Sequence, residues 1–353
     1  MKLGIVGLPQ SGKTTVFNAL THGDYPVTMG GNRFEIHTAA VDVPDPRVDA
    51  LADLFKPKRT TYAKVVYVDI AGLEGSSGGN ISGPLLNQLS QMDGLIHVVR
   101  CFQNENIPHI LRGVDPQRDI DVMEDEFLLN DLILIERKLE RLGEEQRRNS
   151  RDKGELEREI DLFERLQSML MDGFPLRQLA LEPRETRLVA GYGFLSLKNL
   201  LIVLNLDEGQ PAPKVTCPSG SIVVPLQGKL EMEIAQLPPD DASLFMEEYD
   251  IAEPSLNRMI RNSYASLKLQ SFFTVGEDEV RAWTVRQGVQ ASEAAGVIHS
   301  DLKKGFIRAE VISCRELVSL GSLAAARSRG MLRLEGKDYQ VRDGDILHVR
   351  FNV

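Results

Sequence analysis

At 353 residues, 42% hydrophobic and 26% charged, the chain has the make-up of a folded protein of two or three domains; a formal net charge of −10 excludes one that coats nucleic acid by bulk electrostatics, so any RNA contact has to be local. Three widely spaced cysteines (Cys101, Cys217, Cys314) form neither a disulfide framework nor a zinc pattern, and no apolar run reaches transmembrane length. With no cleavable signal pattern, the expectation is a cytoplasmic protein without a membrane partner.

In chain order, the first feature is a short apolar run (Leu3, Ile5, Val6), then GLPQSGKTT from Gly7 to Thr15, then the helix-like VFNAL. This is G-x-x-x-x-G-K-T in the strand, loop and helix context that a phosphate-binding loop requires. Its glycines let successive N–H groups and a helix N-terminus point at phosphates. Lys13 adds a cation for the β and γ phosphates, and Thr14 offers a hydroxyl to Mg²⁺.

Buried-strand runs follow at KVVYVDIAG, GLIHVVRCF and NLLIVLNLDE, as parallel strands covered on both faces read. The fold class is therefore α/β, a doubly wound P-loop sheet. Asp69 ends the first run in D-I-A-G, where it can hold Mg²⁺ while the Gly72 N–H serves the γ-phosphate. Between the second and third runs, Leu128, Leu132, Ile135, Leu139 and Leu142 make a heptad seam. After the break NSRDKG, Leu156, Ile160, Phe163 and Leu170 restart a stripe that can fold back as an antiparallel helical hairpin.

At the end of the third run stand Asn205 and Glu208, where guanine-specific relatives carry N-K-x-D. An Asp there accepts two hydrogen bonds from guanine, whereas Glu208 is a methylene longer. Asn205 can hold the N6 and N7 edge of adenine instead. Short alternating strands return in FIRAEVI, MLRLEGKDYQV and DILHVRFNV with turns at Glu335-Gly336 and Asp343-Gly344, giving a small α+β domain. The expected organisation is a nucleotide domain in two parts, 1–123 and 195–266, a helical coiled-coil insertion at 124–194 and a C-terminal domain at 267–353.

The order GLPQSGKTT, DIAGL, NLDE, together with VPDPRVDAL, HVVRCF, GVDPQRDI and FFTVGEDEVRAWTV, resembles the Obg-like ATPases (YchF type) of the translation-factor-related P-loop class over nearly the whole length. The resemblance implies that the last domain is a TGS-like β-grasp module. It also implies ATP preferred over GTP, slow hydrolysis, association with the ribosome (the large subunit or the whole particle), a part in translation or stress regulation, and a local RNA contact through the TGS-like domain. The expected nucleotide contacts are Pro9, Gln10, Ser11, Gly12, Lys13, Thr14 and Thr15 in the loop, Gly72, and Asn205, Leu206, Glu208, Gln227 and Gly228 around the base. Mg²⁺ is expected on Thr14 and Asp69, with Thr38 a substitute for the family's first-switch Thr, whose place falls near Arg33. Lys13 is the expected catalytic cation, and His109 matches the family's histidine on a mobile loop. Gln10 replaces the loop Asn that ligates K⁺ in potassium-dependent relatives, which counts against K⁺. Leu73 cannot orient water, which leaves open a module that senses ATP without cutting it; a GTPase is the third reading.

Overall fold

A computed structural model describes residues 1–25, 36–70, 83–111, 113–148, 152–248, 251 and 253–352. The chain forms two compact units, Met1–Ala39 with Val66–Leu256 and Ala40–Val65 with Asn257–Val353. In chain order the first strands are β1 (Lys2–Val6), β2 (Ile36–Asp42), β3 (Arg59–Thr61), β4 (Lys64–Ile70), β5 (Gly94–Arg100), β6 (Asn199–Asn205) and β7 (Ile222–Leu226). The helices used below are α1 (Lys13–Thr21), α2 (Pro46–Phe55), α3 (Gly83–Ser90), α4 (Pro116–Arg148) and α5 (Lys153–Met171).

The first sheet has the order β2-β4-β1-β5-β6-β7, and β4, β1, β5, β6 and β7 run parallel. Every residue of β5 is buried, and β6 is buried from Leu200 to Asn205, because helices cover both faces of a parallel sheet. The register sets Ile5 beside Asp69, Val6 beside His97, and Arg100 beside Asn205. It therefore brings the ends of β1, β4, β5 and β6 to one edge, where the order reverses around β1. Such a point is where open α/β sheets bind ligands.

On one face Val6, Val68, Leu95, Val99 and Leu204 pack with Leu85 and Leu89 of α3 and with Ile120, Met123 and Phe127 of α4. The same α4 then leaves that core. Leu128, Ile135 and Leu142 pack with Leu156, Phe163 and Leu170 of α5, with Leu132, Leu139 and Ile160 alongside, as the heptad spacing requires. Asp152 caps α5 by accepting the Glu155 N–H at 2.8 Å. The helix begins at Pro116, ahead of the expected insertion at 124, because its first turns serve the nucleotide domain's core. The hairpin is fixed at its root by Asp131 on α4. Fully buried, this carboxylate accepts from the backbone N–H of Leu195 (2.8 Å) and Ser196 (2.7 Å) and from Ser196 Oγ (2.6 Å), just ahead of β6.

The second sheet contains β8 (Leu269–Thr274), β9 (Glu279–Arg286), β10 (Phe306–Ser313), β11 (Arg333–Glu335) and β12 (Asp345–Phe351) in the order β11-β10-β12-β8-β9-β3. Its core joins Phe272, Val285, Ala309, Val311 and Leu347 to Ala291, Ala294 and Ala295. The edge strand β3 comes from far upstream and runs parallel to β9, with Arg59 beside Glu279. Arg59 Nε and Thr61 Oγ1 donate to Glu279 at 3.0 and 2.7 Å. Arg47, in the first turn of α2, sits between Asp45 (2.8 Å) and Asp343 (2.7 Å) with its guanidinium over Phe273. The second unit thus begins at Asn257 and takes in 40–65, a division that differs from the one drawn on the sequence. Alternation finds a strand but not its partner.

Among the described residues no helix is long and apolar enough to cross a membrane, and the three cysteines are free.

Candidate functional site

The loop between β1 and α1 folds as its glycines dictate. Gly12, at φ 95°, is the N-cap of α1, and a Cβ there would lie 2.2 Å from Asn205 Nδ2; only glycine fits. Gly7 is similar, since a Cβ would fall 2.4 Å from the Val98 carbonyl oxygen. Gln10 adopts a left-handed conformation at φ 63°, which costs a residue with a Cβ, and its side chain is exposed. Pro9 and Thr15 are half-buried on either side, and Ser11 is buried with its hydroxyl unpartnered. Lys13 Nζ lies across the loop and donates to the carbonyls of Gly7 (3.1 Å) and Leu8 (3.0 Å). The ammonium is held where phosphate oxygens would sit above the α1 N-terminus.

Thr14 Oγ1 donates to Asp69 Oδ2 at 2.9 Å, so these two expected metal ligands meet. Asp69 is almost fully buried, and burial raises its pKa against the opposing effects of the Thr14 hydrogen bond, Lys13 and His37. Its Oδ1 has no hydrogen-bond partner. A buried carboxylate with one orphaned oxygen beside a hydroxyl is the donor set a hard divalent cation takes, so the residues fit Mg²⁺. Thr38 lies on the exposed face of β2. Its neighbour His37 is half-buried, lies with its ring tilted against that of Tyr25 at 4.5 Å, and acts on Asp69. Gly72, Leu73 and Arg33 lie outside the described residues, as do residues 74–82 after DIAGL.

Asn205 occupies the end of β6, but its amide is turned toward the protein. Nδ2 donates to the Ser11 carbonyl at 3.0 Å, and Oδ1 accepts the Gly228 N–H at 3.1 Å. It thereby locks the phosphate loop to the start of helix Gly228–Gln236, with one Nδ2 hydrogen left over. Beyond it opens a cavity of about 310 Å³ lined by Leu206, Asp207, Glu208, Gln227, Lys229 and Leu230. Leu206, Glu208 and Gln227, three residues expected around the base, are brought together there, while Gly228 serves as an anchor behind them.

His109 is held elsewhere. Its Nδ1 accepts the Leu111 N–H at 3.1 Å, which leaves the proton on Nε2 to donate to Asp119 Oδ2 at 2.7 Å, and both side chains are buried. Both ring nitrogens are engaged, so in this arrangement the imidazole presents neither to water. The loop before it is held by Arg100, a buried guanidinium that donates to the carbonyls of Phe102 (3.2 Å) and Ile107 (2.7 Å) and stacks on the Phe102 ring. His97, beside Val6 in the sheet, is also buried, its pKa pushed down to about 3 by burial and by Lys13, so it is neutral. Sequence reasoning missed Arg100, His97 and Asp131. The only signal was a polar residue inside an apolar strand or on the seam side of a helix.

Two family models match the chain, one described as 50S ribosome-binding GTPase over residues 2–128 and one as the YchF-GTPase C-terminal domain, a protein of unknown function, over residues 269–352. Among curated proteins, the "Ribosome-binding ATPase YchF" of Haemophilus influenzae is 40% identical over 367 residues, covering 100% of this chain and 99% of that protein. The protein of the same description from Bacillus subtilis is 36% identical, with 99% of each covered. A solved structure of the Schizosaccharomyces pombe YchF GTPase superimposes with a TM-score of 0.86 at 30% identity, covering 99% of this chain and 97% of that one.

Proposed function

This chain belongs to the YchF family, and from that premise we propose that it is a ribosome-associated P-loop ATPase that prefers ATP to GTP and hydrolyses it slowly. The observation that carries the reading is the site at the ends of β1, β4 and β6. It combines Lys13 over the helix N-terminus, the Thr14–Asp69 pair with its orphaned oxygen, and a base-sized cavity bearing Glu208 in place of Asp. The relatives named as ribosome-binding ATPases support the partner and the base.

In this reading the β and γ phosphates displace the Gly7 and Leu8 carbonyls from Lys13, and the N–H groups of Gly12, Lys13 and Thr14 receive the phosphate oxygens. Thr14 and Asp69 hold Mg²⁺, which neutralises phosphate charge when bound. Asn205 keeps the loop in register and turns its remaining N–H to the base, while Leu206 and Gln227 wall the adenine. Glu208 withholds the fixed bidentate contact that guanine needs. Gln10, exposed and already in a costly conformation, argues against a potassium requirement.

One observation favours a second reading, an ATP sensor that does not turn over by itself. With both ring nitrogens of His109 spent on Asp119 and Leu111, the histidine expected to act on water is unavailable in this arrangement, and catalysis would wait for a partner that frees it. Nucleotide titration with ATP and GTP, followed by turnover with and without ribosomes, tests both. Tighter GTP binding refutes the base preference. ATP binding with no turnover in either condition supports the sensor.

A further inference from the structure

The segment between β5 and α4 is tied down by polar bonds at its far end. From Gln103 to Gly113 the described residues are exposed apart from Ile107 and the ring of His109. The two apolar side chains after the histidine, Ile110 and Leu111, are 55% and 39% exposed, so no apolar burial anchors this tip. Arg118 anchors it instead. At the third position of α4 its N–H donates to the Asp115 carboxylate at 3.1 Å, which fixes its backbone as part of the helix cap. Its guanidinium then forks. Nη1 donates to the Leu111 carbonyl at 3.1 Å and Nη2 to the Gly113 carbonyl at 2.8 Å, while Nε and Nη2 donate to Asp119 Oδ1 at 3.1 and 2.8 Å. With Oδ1 held in this way, Asp119 turns Oδ2 to the His109 Nε2–H at 2.7 Å. Arg118 thus fixes both the loop that carries the imidazole and the carboxylate that receives it.

The near end of the same segment adjoins the nucleotide site. It leaves β5 beside Asn205, and Phe102 lies 3.9 Å from where a Cβ on Gly12 would stand. His109 follows Phe102 by seven residues, and an extended chain of that length spans up to about 25 Å. Chain length therefore does not keep the ring from phosphates held over the loop; the bonds to Asp119 do. Releasing the ring would leave Asp119 Oδ2 buried without a partner, a costly state unless another donor takes its place. Arg100 is such a donor. It feels the charge of Asp119 and of Asp207, which lines the base cavity, both opposing the fall in its pKa caused by burial. Its Nη1 is buried and has no hydrogen-bond partner. With a second guanidinium at hand for the carboxylate, the segment has a closed arrangement and an open one that the core can support.

We propose that Arg118 and Asp119 form an autoinhibitory latch, which stores His109 away from the bound nucleotide and whose opening starts turnover. The inference rests on the ATPase reading above and names the restraint on it. Arg118 is a positioning residue, acting through Asp119 and the loop backbone. It is the residue to change, because its side chain is 30% exposed whereas Asp119 is buried and its loss would disturb the fold.

The test uses the full chain as native protein, as Arg118→Met, as the double variant Arg118→Met/His109→Ala, and as Arg137→Met, which removes a charge from an exposed position further along α4. Arg118→Lys, which keeps the charge but cannot fork, replaces Arg118→Met if that variant melts early. Turnover of ATP without ribosomes is measured beside ATP titration, melting curves and the rate at which diethyl pyrocarbonate modifies His109, followed by peptide mass spectrometry. In Arg118→Met the ring should be modified faster and turnover should rise on the order of tenfold, as expected when charged hydrogen bonds are removed from one side of a two-state equilibrium. ATP affinity and melting should stay near native. The double variant should lose the gain, and Arg137→Met should follow the native protein. Unchanged modification of His109 would show that Arg118 does not hold it. Faster modification with unchanged turnover, or a gain that survives in the double variant, overturns the autoinhibitory role. ATP that is bound but never cut by native protein or variant also overturns it, in favour of the sensor. Native protein that binds no ATP refutes the nucleotide reading itself, and the modification rates then decide by themselves whether Arg118 restrains the loop.

Discussion

The two sheets of this protein are built on different logic. The first is assembled from parallel strands that run to one edge, and its functional groups sit within a few residues of strand ends: the loop after β1, Asp69 at the end of β4, Asn205 at the end of β6. The second is mixed, and its edge strand β3 is contributed by a segment about two hundred residues upstream of its neighbour β9. A site at strand ends can be written as short motifs because local backbone geometry creates it. A sheet completed from a distance cannot, because its stability resides in pairs such as Arg47–Asp343 and Thr61–Glu279 that no local pattern announces.

The largest expected effect probes the first sheet alone. Lys13→Ala removes the cation over the phosphates from a partly buried site and should weaken ATP binding by roughly a hundredfold or more, while leaving the melting profile of the nucleotide-free protein near native. Isothermal titration beside calorimetry reads both, and retained ATP affinity would break the assignment of the loop. Next, the root of the helical hairpin is sensitive to pH. Burial raises the Asp131 carboxyl to about 6 in spite of the hydrogen bonds from Ser196 and Leu195. Because the folded value lies above the unfolded value of about 3.9, its contribution to stability is full below pH about 4 and is lost as pH rises through 6, a change of about 3 kcal/mol at most. Denaturant titrations across that window should show the decline in native protein and a flatter profile in Asp131→Asn.

The contrast between the sheets sharpens at Arg47. Truncation to Ala removes ion pairs to Asp45 and Asp343 and the contact with Phe273, and should cost about 2 kcal/mol after allowance for the exposure of the guanidinium. The loss should fall on the second unit, so hydrogen exchange should quicken in β8 and β12 before it does in β5. Uniform acceleration would mean that the segment 40–65 stabilises the whole chain instead. The smallest effect concerns the base. Glu208→Asp restores the shorter carboxylate and should move the ATP to GTP affinity ratio toward GTP by roughly tenfold or less, since Leu206 stands where guanine-specific relatives carry Lys. An unchanged ratio would show that another group lining the cavity reads the base.

The phosphate loop, the Thr14–Asp69 pair and the parallel strands were legible because each depends on residues a few positions apart: glycines that allow a turn, an apolar run buried on both faces, a carboxylate at its end. The helical seam was legible for the same reason, since 4 and 3 spacing fixes a face whatever lies beyond it. Asn205 was found by position, yet its immediate duty was not. Whether its amide faces a base or the Ser11 carbonyl depends on how closely β6 approaches Gly12, which is a tertiary distance. His109 shows the same limit, because its availability to water is decided by Asp119, whose burial follows from the packing of α4. The sequence by itself determined the local backbone and the chemistry each side chain carries. Only the tertiary structure decided which of those groups meet, because burial turns a distant carboxylate or carbonyl into a partner and its distance along the chain does not reveal it.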